Sequence, residues 1–60
     1  MSKLKELRLE KDLTQKQVAT ELCISESTVC KYEKGERKPN IEILKKYASI
    51  FSVTIDELVY

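Results

Sequence analysis

The sequence has no histidine, one glycine, one proline and two cysteines among its 60 residues. Each shortage excludes something. Without histidine, the commonest general base and metal ligand is missing. Two cysteines cannot complete a tetrahedral zinc site within one chain unless carboxylates join them. A single glycine rules out a Gly-rich phosphate loop, and with a single proline it leaves little for hairpin turns, so the composition leans helical. No apolar run is long enough for a signal peptide or a membrane span. A domain of this size buries only roughly 60% of the surface its unfolded chain exposes, which leaves no room for a deep catalytic cleft. No catalytic constellation is visible, and no cofactor, metal, small-molecule or membrane site is expected. Cys23 and Cys30 are expected to be free thiols in a cytoplasmic protein, behaving as small hydrophobes.

What is present is charge and helical patterning. Charged residues make up 35% of the chain, yet the formal net charge is only +1. That is not the excess expected of a nonspecific nucleic-acid binder, but the distribution is uneven. Lys31, Lys34, Arg37 and Lys38 cluster in the middle against Glu33 and Glu36, and the last third is slightly acidic.

The start signals of helices divide the chain. Leu4 and Leu7 stand at helical spacing in a first helix, about residues 3–11. Thr14-Gln15-Lys16-Gln17 reads as a capping box opening a second helix, about 15–22. Ser25 caps a third, about 26–34, which Gly35 ends in the left-handed conformation. Pro39 disfavours helix at Lys38, and Asn40 caps a fourth helix, about 41–51. Thr54 to Glu57 forms a second capping box before a short last helix, about 55–59. The expectation is one compact all-α domain over residues 1–60. Its core is expected from Leu4, Leu7, Leu13, Val18, Ala19, Leu22, Ile24, Val29, Leu44, Ala48, Phe51, Val53 and Leu58, with Tyr32 also turned inward.

The informative unit is Thr14 to Gly35. Two helices of about eight residues flank a three-residue turn, with small Ala19 in one and Val29 in the other, and Ile24 filling the turn. The second of these helices then presents Glu26, Ser27 and Lys31 outward, the geometry of a recognition helix in the major groove. With these residues in place, the chain resembles the Cro and phage-repressor type of helix-turn-helix protein, also called the xenobiotic-response-element family. The resemblance rests on Leu4-Lys5-Glu6-Leu7-Arg8, Leu13-Thr14-Gln15 with Val18-Ala19, and Ile24-Ser25 with Thr28-Val29. It continues through Tyr32-Glu33 with Gly35, Pro39-Asn40, Leu44 with Ala48, and Val53 to Leu58.

The resemblance implies a lambda-repressor-like five-helix bundle and a sequence-specific regulator of transcription, a repressor, bound to double-stranded DNA. It places Glu26, Ser27 and Lys31 at base-reading positions. It gives Gln15 a phosphate contact and sets Ser25, Thr28, Lys34, Arg37 and Lys38 near the DNA backbone. Arg8 and Glu33 match an ion pair that ties the first helix to the recognition helix in relatives. Two departures stand out. Cys23 occupies a turn position where many members have glycine, and a non-glycine residue there costs roughly 1 kcal/mol or more. Glu26 is acidic at a DNA-facing position, where it repels phosphate but can accept from cytosine N4.

The fourth helix has more apolar residues than one stripe holds. Ile43, Tyr47 and Ile50 form a second stripe beside Leu44, Ala48 and Phe51, continued by Ile55, Val59 and Tyr60. An exposed patch of this kind is expected at an interface, here a two-fold homodimer; the plainer alternative is that it widens the core. The other reading of the whole chain is a protein-interaction module of the same fold, antitoxin-like or partner-regulated, that holds a protein partner on the C-terminal apolar patch.

Overall fold

The computed structural model describes residues 2–59. The helices are α1 (Ser2–Glu10), α2 (Gln15–Leu22), α3 (Glu26–Lys34), α4 (Ile41–Phe51) and α5 (Ile55–Val59), with no strand among the described residues. The fold is all-α. Here α3 packs on α2 and α1, while α4 packs on α2 and α5. Of the helices expected from sequence, only α1 is displaced, by one residue at each end.

The helix starts follow the side chains that cap them. Thr14 accepts the Gln17 N–H, Ser25 that of Thr28, Asn40 that of Ile43 and Thr54 that of Glu57. Each cap satisfies one of the N–H groups that a helix start leaves without an internal partner.

The helix ends share a second device. Asp12, Cys23, Gly35 and Ser52 all have positive φ, at 56°, 59°, 78° and 55°. Just beyond each, an N–H reaches back five residues: Leu13 to the Arg8 carbonyl, Ile24 to Ala19, Glu36 to Lys31 and Val53 to Ala48. This is the Schellman closure. Only one of the four positions is glycine, so three side chains carry the steric cost of the left-handed region. Cys23, the residue that departs from glycine in the α2–α3 turn, is one of them. It is nonetheless a sound closure, with Cys23 and Ile24 donating to the Thr20 and Ala19 carbonyls.

The core consists of Leu4, Leu7, Val18, Ala19, Leu22, Val29, Tyr32, Tyr47, Phe51 and Leu58. Leu13, Ile24, Leu44, Ala48 and Val53, expected in the core, are partly buried against it. Tyr47 is the correction: expected on an exposed dimer stripe, it is only 1% exposed. The reason is helical geometry. Tyr47 and Phe51 are one turn apart and define the centre of the inward face of α4. Leu44 and Ala48 flank it on one side, Ile43 and Ile50 on the other. Aromatic contacts hold this centre, with Tyr32 edge-on to Tyr47 at 6.3 Å and Tyr47 tilted against Phe51 at 5.5 Å. Of the remaining residues expected at a dimer surface, Ile43, Ile50 and Ile55 are half-buried. Tyr60 and the Val59 side chain lie outside the described residues.

The Tyr47 hydroxyl is buried without a hydrogen-bond partner. Burial, first, and then the nearby Glu33 charge and Tyr32 push its pKa well above the usual phenol value of 10.0, with Arg8 pulling the other way. A phenol whose pKa is raised on folding contributes stability that is complete below the unfolded value. That stability is lost as pH rises past about 10 toward the folded value.

Two expectations follow from these features. Tyr47→Phe removes an unsatisfied polar group at almost constant shape, so it should match or exceed the parent by about 1 kcal/mol in urea unfolding at pH 7. The margin should widen above pH 10. Cys23→Gly should raise stability by about 0.5–1 kcal/mol, a gain of several degrees in Tm by thermal circular dichroism.

Candidate nucleic-acid interface

The tight α2–α3 turn decides which side chains meet. α2 and α3 pack against one another with Ala19 and Val29 buried. A small residue on α2 lets the two helices approach closely. At the start of α2 the Thr14–Gln17 capping box is complete: the Gln17 N–H donates to Thr14 Oγ1 at 3.0 Å, and the Thr14 N–H to Gln17 Oε1 at 2.8 Å. Gln17 is thereby committed to the cap, and Gln15 is not. At the start of α3 three hydroxyls gather. Ser25 Oγ lies 2.7 Å from Thr28 Oγ1 and 3.2 Å from Ser27 Oγ. Glu26 stands in the first turn of α3, where the positive end of the helix dipole favours an anion whatever else it does.

Behind this surface lies the ion pair that the family resemblance implied. Arg8 Nε donates to Glu33 Oε2 at 2.6 Å and Arg8 Nη2 to Glu33 Oε1 at 3.3 Å. The side chains are 10% and 4% exposed, so the pair is essentially removed from solvent. Arg8 Nη1 donates to the Leu13 carbonyl at 2.8 Å, and Gln15 Nε2 donates to Glu33 Oε1 at 3.1 Å. One carboxylate on α3 therefore holds α1, and with it the chain just before α2 and the first residue of α2. The arginine fork supplies the rigid donors this requires.

Gln15, Glu26, Ser27, Lys31 and Lys34 line a single open groove, together with Cys30 and Glu36. Thus the three expected base readers and two of the expected phosphate contacts share one surface. A second groove next to it is lined by Arg8, Leu9, Asp12, Leu13, Thr14, Gln15, Lys16 and Glu26. Gln15 and Glu26 border both. Ser25 and Thr28 line neither groove; Ser25 caps α3 by accepting the Thr28 N–H, and Thr28 is half-buried. Arg37 and Lys38 are exposed beyond the end of α3, outside the groove. Sequence reading missed Cys30, half-buried on the groove, and Lys16 beside Gln15. The signal for Cys30 was available: positions 27, 30, 31 and 34 follow the i, i+3, i+4, i+7 spacing of one helix face. Both cysteines are free thiols. No group of metal-binding side chains lies together among the described residues.

A recognition helix carried outward on a helical body, with capped helix starts and lysines on one face, is the form of a DNA-binding domain. The helix-turn-helix family profile matches residues 4–58, and the chain belongs to that family, in its Cro and phage-repressor branch. It is a helix-turn-helix domain of the kind carried by transcriptional regulators. The chain is 50% identical over 56 residues to the HTH-type transcriptional activator BcrR of Enterococcus faecalis, covering 93% of this chain and 28% of that protein. It is 41% identical over 58 residues to the cryptic phage CTXphi transcriptional repressor RstR of Vibrio cholerae, covering 97% and 52%. The HTH-type transcriptional regulator AnsR of Bacillus subtilis is 40% identical over 58 residues, covering 97% and 50%. The chain thus spans about half or less of the length of these relatives. No solved structure matches it.

Removing one partner of the buried pair should be costly because the other charge stays buried. Glu33→Ala should lose about 3–5 kcal/mol. A chain this short is expected to have only roughly 3–9 kcal/mol in total. The Glu33→Ala domain should therefore melt far below the parent by circular dichroism, and be unfolded at 37 °C if the parent lies at the low end of that range. Arg8→Met with Glu33→Leu, which removes both charges and keeps the volume, should recover most of the loss.

Proposed function

We propose that this domain binds a specific double-stranded DNA operator through the major groove and acts there as a cytoplasmic transcriptional repressor. The observation that carries the reading is the single groove on the outer face of α3 that collects Gln15, Glu26, Ser27, Lys31 and Lys34. Lysines on that face supply salt-dependent attraction to phosphate, while base edges supply the choice of sequence. Lys31 suits guanine O6 and N7, and Glu26 suits cytosine N4. The N-termini of α2 and α3 add unpaired N–H groups that favour phosphate. Occupancy of a promoter is enough to repress, and RstR, whose name describes it as a repressor, is among the relatives.

The operator is an inverted repeat read by a homodimer. The apolar surface left on α4 and α5, around Ile43, Ile50 and Ile55, supplies the two-fold contact. The body measures 24 × 23 × 19 Å, so two copies side by side can set equivalent recognition helices one turn of DNA, roughly 34 Å, apart.

Selection of bound duplexes from a random library, sequenced at two salt concentrations, tests this. An inverted repeat with half-sites about one turn apart is expected. Lys31→Ala should relax the preference at one position per half-site and cost about 1–3 kcal/mol. No enrichment at low salt would sink the DNA reading and point to a protein partner on the C-terminal surface. A single half-site bound by a monomer at high micromolar concentration in sedimentation would sink the dimer alone.

A further inference from the structure

Gln15 is half-buried at the first position of α2, and its side-chain nitrogen donates to Glu33 Oε1 at 3.1 Å. That same oxygen also receives Arg8 Nη2, and the other carboxylate oxygen receives Arg8 Nε. An ionised carboxylate only accepts hydrogen bonds. The face of the Gln15 amide turned toward it must therefore be nitrogen and not oxygen. The nitrogen carries two N–H groups, and Glu33 takes one. Gln15 lines both grooves beside the α2 N-terminus, so the other N–H is available to an acceptor bound there. A phosphate oxygen likewise only accepts. An amide free to turn would present its oxygen as often as its nitrogen, and a mobile long side chain would lose entropy on binding.

We infer that Glu33 is a positioning residue for DNA binding: through Gln15 it locks an amide N–H donor toward the phosphate backbone, while Arg8 neutralises the carboxylate that does so. The inference rests on the DNA-binding reading above. It gives the buried pair a role in recognition as well as in packing. It also separates the two glutamines of α2, because Gln17 is held through its side-chain oxygen, which accepts the Thr14 N–H in the capping box, whereas Gln15 is held through its amide nitrogen.

The test is a double-substitution cycle on the duplex recovered by selection, with folding of each variant checked by circular dichroism. Gln15→Ala should weaken binding roughly tenfold, the loss of one hydrogen bond to a charged group. Glu33→Gln keeps the shape and an acceptor for Arg8 and so loses less stability than Glu33→Ala, but it lets the Gln15 amide turn over, and per folded molecule it should weaken binding by a similar factor. The double variant should bind no more weakly than either single one. Losses that multiply, to roughly a hundredfold, overturn the inference, because a merely structural Glu33 acts independently of Gln15.

Nitrogen-edited NMR of the unsubstituted domain supplies a reading that needs no variant to fold. One Gln15 Nε2 proton should be protected from exchange in the free protein, and its partner should shift when the duplex is added. Two freely exchanging protons overturn the inference even if DNA binds tightly. If the unsubstituted domain enriches no duplex at all, the DNA reading falls and the inference with it. The protected proton would then mark only a structural hydrogen bond.

Discussion

Glu33 accepts hydrogen bonds from Arg8 and Gln15 inside a domain too small to have many buried polar contacts. The carboxylate sits on α3, the second helix of the helix-turn-helix, and its donors come from the first helix and from the start of the second. Hydrophobic packing alone leaves the angle of α3 loosely specified, because apolar contact is non-directional. A buried ion pair with fixed donor geometry is directional, and it tolerates misplacement poorly, since either charge left alone is strongly disfavoured. The pair thereby sets the pose of the recognition helix relative to the body. Its contribution to net stability can be small while its contribution to that pose is large.

The second constraint is the closure of each helix. The first four helices end in left-handed residues, with the chain turned back by a hydrogen bond across five residues. These closures keep the connections short and bring the starts of α2 and α3 to neighbouring positions on one surface. Three of the four are made without glycine, so some strain is retained in the turns. The clearest case is Cys23, in the turn between the two helices that carry the interface. The aromatic centre of α4 adds a buried hydroxyl on Tyr47 with no partner. Both features reduce the stability of the domain, and neither lies on the groove.

Much of the fold was legible because helix starts are local events. Thr14, Ser25, Asn40 and Thr54 cap helices where a hydroxyl or amide precedes an apolar period, and the chemistry of a cap is complete within four residues. The helix-turn-helix could be read for the same reason, from Ala19, Ile24, Val29 and Gly35 at their separations. The ends were less legible. Gly35 announces itself, but Cys23 and Ser52 have no local preference for positive φ, and Asp12 only a modest one. The face of α4 was misjudged at Tyr47 because periodicity supplies a stripe but not its centre. Which of two adjacent stripes turns inward depends on what α2, α3 and α5 bring against it.

The order of the helices, their starts and the outward face of α3 were settled by residues within a turn or two of one another, where capping, periodicity and spacing act. Contacts between residues far apart in the chain settled the rest. Arg8 and Glu33 are 25 residues apart, and Gln15 and Glu33 are 18 apart. No local rule says that these side chains meet, or that Gln15 is drawn to the carboxylate. Such pairings exist only once packing has brought separate helices together, because hydrogen bonds and buried charges act over a few ångströms, whatever the distance along the chain.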